Sequence, residues 1–393
     1  MKTQQPGEVP EEDARRALDF RHALHRCPEV SSQEKETARL VREFMEPLEP
    51  DDSAHGLGGH GAVYSFEGSG PGPAVLVRCE LDALPIEEAG DRPYRSRRPG
   101  VGHQCGHDGH MAILAAVALG LARRRPRRGR VILCFQPAEE TGEGAARLLS
   151  DLPARFRPDS AYALHNLPGY PLGTVLVRAG VFNCASLGLI AELRGASSHA
   201  AHPEDALSPQ AGLARLLTEL PEVPARLGLE GALLTVTHAQ LGAPSLGITP
   251  GDARLMATLR SPRDQDLERL RAACEAALGE TASGAGLELR VRSAEPFRAV
   301  SNDLRATDRV IAAAEECGLP WRRLEEPLRW SEDFAEMTRA FGGALFGLGS
   351  GVNHPPLHSP DYDFEDALLV PGARLLRRLV DGVLAIDVPR EPV

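Results

Sequence analysis

Ala74-Val-Leu-Val-Arg-Cys-Glu-Leu-Asp82, closed by Ala83-Leu84-Pro85, is the stretch from which the fold is read. A short apolar run that stops at a proline has the pattern of a strand buried on both faces. Working outward, Val131 to Phe135 is a second such run, stopped by Pro137. Ser160 to His165 is a third, with Pro168 soon after, and Ala344 to Leu348 is a fourth. Helical patterns lie between them. Asp13 to Leu48 reads as amphipathic helices broken near Cys27-Pro28, with Ser31-Ser32 and Glu34 as a helix start. Gly56 to Gly72 is glycine-rich and reads as a loop. Met111 to Arg125 begins apolar on nearly every side and predicts a buried helix. Buried strands alternating with helices give an α/β fold with a largely parallel sheet.

The middle of the chain differs. Cys184 to Leu193 alternates, and strands are expected at Leu233–Thr237, Arg254–Leu259 and Leu287–Val291. Helices are expected at Leu207–Leu220, with Pro209 in the first turn, and at Asp264–Ala277. This order suggests an inserted α+β unit. Its expected bounds are 183–294, leaving 1–182 and 295–393 as one discontinuous domain.

Composition narrows the function. Of 393 residues, 42% are hydrophobic and 25% charged, so the chain can bury a sizeable core. The longest apolar run, Met111 to Ala122, falls short of the roughly 18 residues of a membrane span. The opening MKTQQPGEVPEED has no apolar segment of a secretion signal. Seven scattered cysteines without a CxxC pair then suggest reduced thiols and a cytoplasmic location. The formal charge of −11 opposes nucleic-acid binding by the surface as a whole. Lysine occurs only at Lys2 and Lys35; the other basic residues are arginines.

The chemistry gathers at the carboxyl ends of the expected strands: Asp82 after the first, Glu139-Glu140 after the second, His165 at the end of the third. Open α/β sheets bind ligands at that edge. Gly102-His-Gln-Cys-Gly-His-Asp-Gly-His110 carries one thiol, three imidazoles and a carboxylate in nine residues. Thiolate and imidazole suit zinc and similar divalent ions. On an extended loop, Cys105 and His107 face one point. A histidine-rich turn held by local hydrogen bonds would look the same. Adjacent Glu139 and Glu140 repel, so burying both demands a cation or a proton. A metal beside one carboxylate, with the other kept as a base, meets that demand and is the logic of metal-assisted hydrolysis. An acidic helix start in solvent would also suit the pair. His165 alone is more often structural, and His358, in Asn353-His-Pro-Pro-Leu-His-Ser-Pro360, would equally suit a stiff surface loop.

Seven segments in order carry a resemblance: Arg-Cys-Glu-Leu-Asp82-Ala-Leu-Pro-Ile, Cys105-Gly-His-Asp-Gly-His110, Phe-Gln-Pro-Ala-Glu139-Glu140, Leu-His165-Asn, Ser-Ser-His199-Ala-Ala, Ser331-Glu-Asp-Phe and Pro-Leu-His358-Ser-Pro. Together, from about Ala14 onward, they resemble the peptidase M20 amidohydrolases, in the branch of aminoacylases, hippurate hydrolases and indoleacetyl-amino-acid hydrolases. The resemblance implies a zinc-peptidase-like catalytic domain with an inserted lid domain that makes a homodimer. It implies two divalent ions per subunit, of zinc, manganese, cobalt or nickel. Cys105 would bridge them, with His107 and His165 on one ion and Glu140 and His358 on the other. It further implies Glu139 as general base, Asp82 as a residue orienting the site, and His199 as an oxyanion donor reaching across the dimer.

Two positions depart from the family. Glu80 stands where aspartate is usual. Gly247-Ile-Thr-Pro250 stands where relatives have an asparagine that helps hold substrate, which leaves substrate identity open. Arg260 is kept and could pair with a substrate carboxylate. The expected activity is hydrolysis of N-acyl amino acids, dipeptides or related small amides, with neither membrane nor nucleic-acid partner. Two other readings remain. One is a non-catalytic relative, against which stand the intact ligand set and base. The other is nucleic-acid binding through the arginines of 123–130, for which a solvated connector is the simpler account.

Overall fold

Every residue of the strand Ala74–Glu80 is buried, which is why its sequence shows no polar alternation. The computed structural model describes residues 9–385. Residues 1–8, with most of the segment read for a secretion signal, lie outside the described residues. Ala74–Glu80 pairs in parallel with Arg130–Gln136 on one side and with Ser160–Pro168 on the other, and Gly343–Gly351 lies parallel beyond Ser160–Pro168. The four expected buried strands are therefore neighbours, and their carboxyl ends share one edge. The hairpin Asp52–Leu57 and Gly61–Glu67 extends the sheet antiparallel beside Arg130–Gln136, while Val175–Val177 and Trp321–Arg323 complete eight strands on the far side.

That hairpin corrects the reading of Gly56 to Gly72 as loop. Gly58 and Gly59 adopt positive φ in the turn, and Gly56, also at positive φ, sits at the register shift between His55 and Leu57. Gly61–Glu67 between them and the next glycines is strand, buried throughout as far as Phe66. Apolar residues packed between glycines were too few to show against the loop composition.

The helix His107–Arg123 is buried at every position from His107 to Leu119. Glu11–His25 and Leu369–Leu384 pack on it, and Leu304–Glu316 packs on the latter. The shared core includes Leu24, Leu114, Val117, Val310, Leu376 and Val380. The arginine run joins this helix to Arg130–Gln136. Arg123 lies 2.6 Å from Asp13, Arg124 3.7 Å from Asp381, Arg125 3.3 Å from Asp51 and Arg130 4.0 Å from Glu67, so four of the run's arginines sit beside carboxylates of this chain. Among the described residues no helix is long and apolar enough to cross a membrane.

Two compact units divide the chain. The larger holds residues 9–182, 300–326 and 333–385 of the described chain; the smaller holds 183–299 and 327–332. The smaller unit is a four-stranded antiparallel sheet in the order Leu233–Leu241, Asp252–Ser261, Ala185–Arg194, Glu288–Phe297. Its last strand runs beyond the expected edge at 294 because pairing with Ala185–Arg194 continues to Phe297, opposite Ser186, across a register shift. Alternate residues Leu187, Leu189, Ala191 and Leu193 and their neighbours Leu255, Ala257 and Leu259 pack against Leu213, Leu216, Leu270 and Leu278 of two helices, Gln210–Glu219 and Asp264–Gly284. Leu270 is wholly buried there, whereas Leu246 is fully exposed. Leu270→Ala is expected to cost about 2–5 kcal/mol in urea unfolding, and Leu246→Ala to stay within about 0.5 kcal/mol of the parent.

Candidate active site

The site is built at the shared edge of the parallel strands. The glycine between Cys105 and His107 decides its local shape. Gly106 has φ 87 and is followed directly by the helix that starts at His107. The Cys105-Gly106-His107 segment is thus a left-handed turn into a helix, not the extended loop expected from sequence. A Cβ at position 106 would meet Asn166 Oδ1 at 2.4 Å and the Tyr362 hydroxyl at 2.6 Å, so only glycine fits.

Hydrogen bonds to the backbone fix the imidazoles. His107 Nδ1 lies 2.9 Å from the Asp82 carbonyl and must donate to it, which leaves the Nε2 lone pair facing the site. Nε2 is buried without a hydrogen-bond partner. His165 likewise donates Nδ1–H to the Asn166 carbonyl at 2.8 Å, and its Nε2 lies 3.5 Å from Cys105 Sγ. His110, the third imidazole of the cluster, is committed on both sides. Its Nδ1 meets Glu80 Oε2 at 2.7 Å and its Nε2 accepts the Asn166 N–H at 3.1 Å.

Two triads of candidate metal ligands result, Cys105 with His107 and His165, and Cys105 with Glu140 and His358. Within each, the donor atoms lie within 4.8 Å of one another. The Cys105 sulfur belongs to both. His107 Nε2 is 3.9 Å from Glu139 Oε2 and 3.8 Å from Glu140 Oε1, too far for hydrogen bonds. His358 Nε2 is 3.6 Å from Glu140 Oε2. His358 reaches the site from a left-handed backbone, φ 64, pinned by its N–H to the Gln104 carbonyl at 2.8 Å. Glu139 and Glu140 lie in a turn after Ala138, itself left-handed at φ 51; the helix begins only at Gly144. They are not an acidic helix start in solvent.

The same carboxylates shift the thiol and the imidazole beside them. Burial, with Glu140, Glu139 and Glu80 nearby, pushes the Cys105 thiol well above its usual range. Burial opposes charge on His107, but the hydrogen bond to Asp82 and the fields of Glu80 and Glu140 outweigh it and raise its pKa to about 10. Burial and the neighbouring His110 hold His165 well below the usual range. A thiol made reluctant and an imidazole made basic by the same carboxylates are what a cation at their centre would reverse. Thiolate, imidazole and carboxylate together form a donor set suited to borderline divalent metals. The orphaned Nε2 of His107 and the shared sulfur fit such ions.

Asp82, just past the strand end, takes the Ser31 hydroxyl at 2.7 Å and the Glu140 N–H at 3.0 Å on Oδ2, while Oδ1 stands 3.5 Å from His107 Nδ1. It contacts the site's backbone and imidazole together. Beneath lies a buried network with no trace in the expected site. Arg78 is paired with Glu80 and, at 2.8 Å, with Asp333; Gln136 donates to both Asp333 oxygens. Burial opposes Glu80's charge, but Arg78 and His110 hold its carboxyl well below the usual range. The spacing of His107 and His110 three apart on one helix was the available signal, since Glu80 at the adjoining strand end lies near both.

The remaining expected residues lie in the smaller unit. His199 is on the short strand Ser198–His199, paired with Ile248–Thr249. It is exposed, and its Nδ1 accepts the Ala201 N–H at 3.0 Å. Gly247 is exposed, its carbonyl accepts the Ala200 N–H at 3.0 Å, and an added Cβ would meet nothing within 4 Å. Arg260 is half-buried, and its Nη1 donates to the Arg329 carbonyl at 3.0 Å and the Ser331 hydroxyl at 3.1 Å.

A second ionic cluster backs the helix that carries His107. Arg21 Nε and His25 Nδ1 converge on Asp108 Oδ2 at 3.0 and 2.8 Å, and His25 Nε2 meets Glu88 at 3.2 Å. Burial opposes the charge on His25, but Asp108 and Glu88 raise its pKa to about 9. A raised folded-state pKa gives stability that is complete below the unfolded value of 6.5 and is lost as pH climbs through about 9. Denaturant unfolding of the metal-free protein should therefore weaken between those pH values, and His25→Gln should flatten that slope. An unchanged slope in the variant would show that His25 is not the group.

The profile of peptidase family M20/M25/M40 matches residues 76–382. The chain is 28% identical to the N-acetyldiaminopimelate deacetylase of Exiguobacterium sibiricum, covering 88% of this chain and 94% of that one. It is 27% identical to the N-acetylcysteine deacetylase of Bacillus subtilis, covering 94% and 97%. Among solved structures, a dinuclear metal-binding peptidase of the M20 family from Bacillus subtilis superposes with a TM-score of 0.79 at 24% identity, over 95% of this chain and 99% of that one. That likeness extends to the whole fold.

Proposed function

The chain belongs to peptidase family M20/M25/M40, a metal-dependent hydrolase family, and from that premise we propose that it cleaves the amide bond of N-acyl amino acids or related small amides and dipeptides. The observation that carries the proposal is the pair of ligand triads sharing Cys105, with Glu139 beside them. Cys105, His107 and His165 would hold one divalent ion, and Cys105, Glu140 and His358 the other. Such ions, when bound, polarise a carbonyl and make water more acidic. Zinc, manganese, cobalt and nickel all suit the donors.

The protein's own groups do the rest. Glu139 accepts a proton from the attacking water and returns it to the leaving amine nitrogen. Asp82 orients His107 and the Glu140 backbone. His199 has its Nδ1 occupied as an acceptor, so a neutral ring carries its proton on Nε2 and can donate to a developing oxyanion. We assign that donation across a homodimer formed by the smaller unit, whose strand Leu233–Leu241 is an exposed sheet edge. Seven scattered cysteines without a CxxC pair suit a cytoplasmic enzyme.

The names of the two deacetylases supply a substrate class, an acyl group on an amino-acid nitrogen. Arg260, held in orientation by Arg329 and Ser331, is the candidate for the substrate carboxylate. The open space at Gly247 leaves room for a larger substrate than an asparagine would.

Chelation should abolish hydrolysis of an N-acyl amino acid. Glu139→Gln should keep the metals and lose about 10²- to 10⁴-fold in turnover, whereas Glu140→Gln should lose metal as well, read by elemental analysis. Wild-type turnover by Glu139→Gln would overturn the assignment. Converting the substrate carboxylate to an amide should cost about ten-fold or more in kcat/KM, about 1.4 kcal/mol, and Arg260→Ala should largely erase that preference. Equal wild-type rates on acid and amide would show that a different group is recognised.

A further inference from the structure

Glu34 takes no part in the chemistry above, yet its side chain is completely buried, at the cap of the helix Lys35–Met45. Its Oε1 accepts two backbone N–H groups, those of Ser32 and Ala138, each at 2.8 Å. Its Oε2 is buried without a hydrogen-bond partner. Ala138 directly precedes Glu139 and has φ 51. A left-handed alanine is disfavoured because its Cβ crowds the following carbonyl, so it persists only where its surroundings hold it. On the other side of Glu139, the Glu140 N–H is held by Asp82, which also takes the Ser31 hydroxyl. The backbone carrying Glu139 is thus gripped on both sides by buried carboxylates, with Ser31 and Glu34 coming from one short segment. From below, the Gly144 N–H closes the turn onto the Ala138 carbonyl at 3.1 Å.

We propose that Glu34 is a positioning residue for Glu139: its carboxyl oxygen holds the Ala138 N–H, and with it the left-handed turn that aims Glu139 into the site. This rests on the reading of Glu139 as the base. The Glu34 oxygen is the acceptor for that buried N–H. Without it the Ala138 N–H would be buried and unpaired, and the turn would relax toward ordinary backbone angles. Burial and the neighbouring Asp82 push the Glu34 carboxyl up to about 7. A glutamine, whose amide oxygen accepts the same two N–H groups, is therefore a close substitute.

The test compares Glu34→Gln, Glu34→Ala, Glu34→Asp and the double variant Glu34→Ala with Ala138→Gly. The readouts are kcat, KM, metal content, and amide hydrogen exchange of residues 136–144 in metal-free protein. Glu34→Ala should speed exchange at Ala138 at least ten-fold and lower kcat ten-fold or more, with KM within three-fold and metal retained. Glu34→Gln should stay within three-fold of the parent in exchange and turnover. Adding Ala138→Gly should recover at least three-fold of the lost kcat, because glycine holds a left-handed turn unaided. Should Glu34→Ala fail to fold, Glu34→Asp, with its carboxyl withdrawn by one methylene, should show the same faster exchange and slower turnover. Unchanged exchange at Ala138 in both of these variants overturns the proposal, whatever their activity. So does a parallel loss of metal, KM and turnover in Glu34→Gln, which would mark a general prop of the fold. Faster exchange in Glu34→Ala beside full activity of Glu139→Gln would uphold the grip on Ala138 and remove only the reading of Glu139 as base.

Discussion

Buried negative charge at one edge of a sheet is the constraint on which this structure depends. Glu80, Asp82, Glu139 and Asp333 are all nearly inaccessible, with Glu140 beside them. Carboxylates gathered in a low-dielectric interior repel, and each removed from water carries a large desolvation cost. The protein meets this in layers. The Arg78 guanidinium, itself wholly buried, is shared between Glu80 and Asp333 beneath the site, with His110 also on Glu80 and Gln136 on Asp333. Arg21 and His25 neutralise Asp108 behind it. Backbone N–H groups of Ala145 and Glu140 satisfy Asp333 and Asp82. Glu139 and Glu140 face the triads around Cys105.

The second constraint is backbone shape. Three loops leave the carboxyl edge through left-handed residues: Gly106 at φ 87, Ala138 at φ 51 and His358 at φ 64. Each stands at or beside a residue of the site, and each is locked from outside: Gly106 by the room it leaves for Asn166 and Tyr362, Ala138 by Glu34, His358 by the Gln104 carbonyl. Parallel strands alone bring segments to a common edge. These bends turn Cys105 and His107, Glu139 and Glu140, and His358 inward to within ligand distance.

Much of this was legible in the chain. The four buried strands declared themselves because a strand covered on both faces has no need of polar residues, and their parallel order followed from the helices between them. The hairpin at Asp52–Glu67 was hidden because its turn glycines gave the whole stretch the composition of a loop. Cys105 and His107 stood out as candidate ligands, but the turn between them was misjudged as extended. His110 could not be separated from its neighbours, since only Glu80 and Asn166, distant in sequence, show that both of its nitrogens are occupied. Glu34 read only as a helix start for the same reason, its second partner being 104 residues away.

The sequence by itself determined which residue types could meet at the edge, because apolar runs and their stops fix the strands and hence where each strand ends. Hydrophobic periodicity is local, and local pattern suffices for that. Tertiary structure decided which nitrogen of each imidazole points inward, which carboxylates are already paired, and which turns are left-handed. Those are set by contacts between segments far apart in the chain, where one carbonyl or guanidinium, absent from any local pattern, settles the role of a side chain.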